Sequence, residues 1–119
     1  MAIKTSSAKA KGRELQNWVR DKVLALFPSL EPDDVRSTSM GANGQDVQLS
    51  PAARKLFPFA VECKRLAKIA VYGMYEQAVA NAGKHEPLLF VRGDRKKALA
   101  IIDAEYFLEM VRKLNGETN

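Results

Sequence analysis

Apolar residues recur at helical spacing through the first part of the chain. Leu15, Trp18, Val19, Val23, Leu26 and Phe27 fall on one stripe between Ser7 and Phe27, the period of an amphipathic helix. Pro28 and Pro32 end it, because proline lacks the N–H that a helix needs. Residues 1–7, polar and basic, read as a flexible tail. The stretch DVRSTSM then reads as a short strand and GANG as a turn. QDVQLS alternates polar and apolar positions. FAVECKR alternates again, with Phe59, Val61 and Cys63 on one face and Glu62 and Lys64 on the other, the period of a half-buried strand. SPAARKLFP connects the two. From Lys68 to Ala82 a second helical stripe, Val71, Tyr75, Ala78 and Ala82, is closed by Gly83. PLLFVR, the turn GDRK and KALAIID read as a hairpin. Asp103 is placed to cap a last helix whose stripe is Phe107, Met110, Val111 and Leu114. The predicted order is αβββαββα, an α/β fold with a single mixed β-sheet flanked by helices.

A chain of 119 residues is expected to form one domain, 1–119, and 46% hydrophobic residues exclude disorder. The single Cys and single His exclude an internal disulfide, a cysteine zinc cluster and histidine-based catalysis as leading readings. Cys63 reads as a small core residue and His85 as a solvated loop residue. No apolar run reaches transmembrane length and no signal-type segment is evident, so no membrane partner and a cytoplasmic location are expected. A net charge of +5 favours a polyanionic partner. Basic residues Lys9, Lys11, Arg13, Arg20 and Lys22 crowd the first helix, as its solvated face or as phosphate contacts.

The two alternating strands permit one informative register. With Ser50 opposite Pro58 in an antiparallel pair, Asp46 faces Glu62 and Lys64 lies one pleat along on the same side. Val47, Leu49, Val61 and Cys63 turn together toward the core. Facing residues sit about 5 Å apart, so the two carboxylates would repel and one pKa would rise unless a cation joined them. Magnesium accepts a few carboxylate and carbonyl oxygens and keeps several waters. It can acidify water and stabilise charge on a phosphate under attack, and Lys64 at the rim could neutralise the same charge. The competing reading is a hairpin with three solvated side chains. Acid-x-Lys alone is weak: it also occurs at Asp94-Arg95-Lys96, a turn with no facing acid.

Taken together, an acid at Asp46, then Glu62-Cys63-Lys64 on the next strand, after a helix bearing Glu14, resembles the PD-(D/E)XK nuclease superfamily. The likeness runs from Glu14 through Gln77 and is nearest to small stand-alone phage-type endonucleases and Holliday-junction resolvases. It implies a restriction-endonuclease-like core and a magnesium-dependent DNA endonuclease, with manganese able to substitute and no small-molecule cofactor. By this resemblance Asp46 and Glu62 bind the metal, with the Cys63 main-chain carbonyl and possible help from Glu14. Lys64 is the catalytic lysine, and Gln77 matches a glutamine kept near the site. Ser39, in RSTSMGANGQD, matches a resolvase serine. Lys11, Arg13, Arg54, Lys55, Arg65, Lys68, Arg95 and Lys96 are the expected DNA-backbone contacts, with Arg54 at the tip of the 51–57 loop. The chain departs from the pattern where Gln45 replaces the motif proline and where SPAARKLFP lengthens the connection. No added specificity domain fits this length, so structure-specific cutting of branched DNA by a homodimer is the leading expectation. Two other classes remain: a catalytically inactive nucleic-acid-binding module, and an interaction subunit of a phage assembly or repair complex.

Overall fold

A computed structural model describes residues 5–38, 44–65, 70–114 and 116. The first helix, α1 (Thr5–Leu26), starts inside the stretch expected to be a tail. Good helix formers at Ala8, Lys9, Ala10 and Lys11 allow that extension. A 3₁₀ turn at Pro32–Asp34 leads into β1 (Val35–Ser37) and then β2 (Val47–Leu49). The connection that follows is not a loop but a short helix, α2 (Pro51–Leu56). Ser50 caps it, its Oγ accepting from the Ala53 N–H at 3.1 Å, and Pro51 supplies a preset φ at the first helical position. The order therefore gains an element over the expected one. β3 (Phe59–Arg65), α3 (Val71–Ala82), β4 (Glu86–Arg92), β5 (Leu99–Ile101) and α4 (Ala104–Leu114) complete the fold.

The strands form one five-stranded mixed sheet in the order β1-β2-β3-β4-β5. β1 and β2, β2 and β3, and β4 and β5 pair antiparallel, while β3 and β4 run parallel. A parallel pair needs a crossover, and α3 supplies it, returning antiparallel to β3. Gly83, at φ 62°, ends α3 in the left-handed region where glycine is unstrained.

The helices pack on the sheet at two separate clusters. Leu15, Val19 and Val23 of α1 are buried against Val35, Val47, Ala53 and Val61, with Cys63 and Phe90 at the margin. Each such aliphatic side chain contributes about 1.5–3 kcal/mol on burial. Met74 and Ala78 of α3 pack on Leu89 and Val91. Val61 and Cys63 thus turn toward α1, and by alternation Glu62 and Lys64 turn toward α3. The buried face of α3 is Met74, Ala78 and Ala82, with Tyr75 packed beside it; of the expected stripe only Val71 is exposed, and Met74 joins the face instead. Val71 lies in the first turn and lines an open pocket with Tyr75, Ile101 and Ile102.

α4 also differs from its predicted packing. Asp103 caps it as expected, Oδ1 accepting from the Tyr106 N–H at 2.9 Å. The helix meets the end of the sheet, where Tyr106 stacks edge-on against Phe59, with ring centroids 5.6 Å apart. Phe107, Leu108, Val111 and Leu114 stay exposed. Among the described residues, no helix is long and apolar enough to cross a membrane.

Candidate metal and phosphate site

The β2–β3 pairing sets Val47 opposite Val61, the register that the alternation predicts; Asp46 lies just before β2, outside that ladder. The Asp46 N–H donates to the Val61 carbonyl at 2.9 Å. Its carboxylate then bends over β3, and Oδ2 accepts from the Cys63 N–H at 2.8 Å. In a strand the N–H and C=O of every second residue face the same edge. The Cys63 carbonyl therefore shares the edge of the Val61 carbonyl and turns toward Asp46. Thr38 holds the entry from β1: its N–H donates to the Asp46 carbonyl at 2.9 Å and its hydroxyl to the Gln45 carbonyl at 2.7 Å.

Glu62 is only 5% exposed. One of its oxygens lies 3.3 Å from the Lys64 ammonium, and the other accepts from the Asn81 amide at 3.5 Å. Burial, reinforced by the charge of Glu62, pushes the Asp46 carboxyl up to about 6, and the Cys63 N–H and Lys64 offset only part of that. The Cys63 thiol is pushed up too, by burial first and then by Asp46 and Glu62. It is therefore neither a thiolate ligand nor a nucleophile, and Cys63 can contribute through its main chain alone.

The donor set suits a hard cation. The Asp46 and Glu62 carboxylates lie close enough to feel each other's charge, and burial first, then Glu62, raises the Asp46 pKa; a divalent ion beside them would offset both. Among the described residues, no three or more His, Cys, Asp or Glu side chains group to hold a metal. A magnesium ion bound here would complete its shell with water and phosphate oxygens, as that ion commonly does.

The other sequence candidates are distributed unevenly. Glu14 does not join the acid pair. Its side chain is largely exposed and its ionic partner is Arg65, at 3.9 Å. The reason is geometric: α1 covers the face of β3 that carries Val61 and Cys63, opposite to Glu62 and Lys64. Arg54 does not project from a loop tip. The turn of α2 directs its guanidinium inward, where it donates to the Phe59 carbonyl at 2.8 Å and the Gln45 amide oxygen at 3.1 Å. Lys55, Arg13, Arg95 and Lys96 are exposed. Lys11 and Arg65 both meet Asp94. Ser39 and Lys68 lie outside the described residues.

Gln77 is exposed on α3, one turn before Asn81 and on the same side of the helix. Asn81 was the residue missed in the sequence; its spacing from Gln77 was the available signal.

Compared with family models, with curated proteins and with solved structures, the chain finds no match in any of the three.

Proposed function

We propose that the chain is a magnesium-dependent DNA endonuclease that hydrolyses phosphodiester bonds, with branched DNA as its preferred substrate. The observation that carries this reading is the Asp46 carboxylate held on the Cys63 N–H at 2.8 Å, near enough to feel the charge of Glu62, with Lys64 3.3 Å from the Glu62 carboxylate. In this reading the domain is of restriction-endonuclease-like type, and its core is β1–β2–β3–α3–β4 with α1.

Asp46, Glu62 and the Cys63 carbonyl would hold the cation. When bound, magnesium supplies positive charge to the phosphate under attack and acidifies water beside it. The chain's own residues do the rest. Lys64 neutralises charge that grows on the non-bridging oxygens, a role worth most in a partly water-excluded site. Asn81 orients Glu62 by donating to its carboxylate, as outer partners of metal ligands do. The Cys63 N–H fixes Asp46, so neither carboxylate must reorganise for the reaction. Water attacks in line and the leaving strand keeps its 3′-hydroxyl, which gives a 5′-phosphate product.

Cutting a junction on two strands calls for two copies, and α4 offers a surface for that. Phe107, Leu108, Val111 and Leu114 are exposed. Glu105 lies in its first turn, and Arg112 and Lys113 lie in its last. A two-fold antiparallel pairing of two α4 helices buries the apolar stripe and sets each acidic end against a basic end.

The direct test is cleavage of a four-way junction, a nicked duplex and a linear duplex in magnesium, in manganese and in EDTA. Metal-dependent cutting of the branched substrate, lost by about 100-fold or more in Lys64→Ala, is the expected result. No cutting of any substrate, with DNA binding that persists in EDTA, would instead favour a binding module without chemistry.

A further inference from the structure

Lys11, in α1, and Arg65, at the end of β3, are far apart in sequence but converge on one oxygen. Asp94 Oδ1 lies 3.1 Å from the Lys11 ammonium and 3.4 Å from the Arg65 guanidinium. Arg95 lines the same polar cleft, on a turn whose backbone takes φ 58° at that residue. Two cations therefore share one oxygen of one carboxylate, and a third, Arg95, lines the same cleft. The Arg65 side chain is 13% exposed, yet its Nε, fully shielded, has no hydrogen-bond partner among the described residues. The hydrogen bond from Lys11, chiefly, holds the Asp94 carboxyl below the usual carboxylate range.

The position of this cleft matters. Arg65 directly follows Lys64, and β3 and β4 are parallel and end there. The carboxyl ends of parallel strands are where ligands gather in α/β sheets. Lys64 and Arg65 point to opposite faces of that edge, so a nucleic-acid backbone crossing it would pass both. A phosphodiester carries two charged oxygens where the Asp94 carboxylate offers one to the cluster. It could pair both oxygens with the terminal nitrogens of Arg65, and guanidinium binds phosphate in such a paired manner.

We propose that Lys11, Arg65 and Arg95 form a subsite for a non-scissile phosphate of the DNA backbone, and that Asp94 occupies it in the free protein until DNA displaces it. The identification of the anion as DNA phosphate rests on the nuclease reading above. The subsite itself rests on the convergence of Lys11 and Arg65.

The test is DNA affinity in EDTA, where no strand is cut, as a function of salt. Asp94→Asn removes the internal competitor and is expected to tighten binding about five-fold, the scale of one exposed ion pair. Lys11→Ala is expected to weaken binding and to lower the slope of log K against log salt by about 0.9, the loss of one phosphate contact. Joining Lys11→Ala to Asp94→Asn should remove most of the gain. Asp33→Asn, the same charge change on the 3₁₀ turn, should give none. Unchanged or weaker binding by Asp94→Asn, an equal gain from Asp33→Asn, or an unaltered salt slope in Lys11→Ala would overturn the proposal. Lys11 and Asp94 are exposed, and circular dichroism checks that each variant is folded. If the wild type never cuts DNA but this order of affinities holds, the subsite stands and the nuclease reading falls. If it cuts but Asp94→Asn gives no gain, the subsite alone falls.

Discussion

Replacing Asp46 by Asn should make the metal-free protein more stable while it removes the proposed activity. Burial and Glu62 raise the Asp46 pKa from 3.8 to about 6. In the unfolded chain this carboxyl releases its proton near 3.8; in the native state it keeps the proton until about 6. Stability is thus full below pH 4, falls as the pH rises from about 4 to 6, and is flat above. The ionised form costs the native state at most about 3 kcal/mol, and about 1–2 kcal/mol once solvent screening of a partly exposed group is allowed for. Asn keeps an oxygen to accept from the Cys63 N–H, now at 2.8 Å, so that hydrogen bond need not be lost. The assay is thermal unfolding of both proteins in EDTA from pH 4 to 8. At pH 7.5 Asp46→Asn should melt about 3–8 °C above the wild type, and the two should converge near pH 4. Saturating magnesium should then raise the wild type by about 2.7 kcal/mol at a hundred times its dissociation constant and leave the variant unmoved. A variant less stable than the wild type at pH 7.5 in EDTA would refute the reasoning, because it would mean that Asp46 is a stabilising carboxylate and not a strained one.

Other substitutions separate the site from its surroundings. Glu14→Gln should leave metal-dependent cleavage within about twofold of wild type, the scale of an exposed ion pair; a large loss would place Glu14 in the site against the geometry seen. Asn81→Ala should lower cleavage about 10-fold while DNA affinity in EDTA stays the same, as expected for an outer partner of a metal ligand. Arg54→Ala gives up two hydrogen bonds and should cost about 1–3 kcal/mol in urea unfolding with little change in DNA affinity. Leu108→Asp should turn a sedimenting dimer into a monomer that keeps its helical circular dichroism; a wild type that is monomeric throughout would rule out pairing through α4.

How far the sequence carried this picture depends on the range over which each feature is encoded. The pairing of Val47 with Val61 was legible because strand alternation has a period of two, and a slip of one residue would have exposed both. The Asp103 cap and the Gly83 stop were legible for the same local reason. The α2 helix was missed although Ser50-Pro51 is a local start signal, because the stretch was taken as a connection between strands. Glu14 was misplaced because a helical stripe shows which side of α1 is buried but not which face of the sheet it covers. The meeting of Lys11 with Asp94, 83 residues apart, leaves no periodic trace at all. In α4 the stripe of Phe107, Met110, Val111 and Leu114 shows a helix but not what covers it, and Phe107, Val111 and Leu114 are exposed.

The central claim is that Asp46, Glu62 and the Cys63 carbonyl bind one divalent cation beside Lys64. Anomalous diffraction from crystals soaked in manganese tests it most directly. The account predicts a single strong peak within coordinating distance, about 2.0–2.3 Å, of both carboxylates and that carbonyl, and its loss in Asp46→Asn. A peak held elsewhere, or none at this site at millimolar manganese and neutral pH, would contradict it.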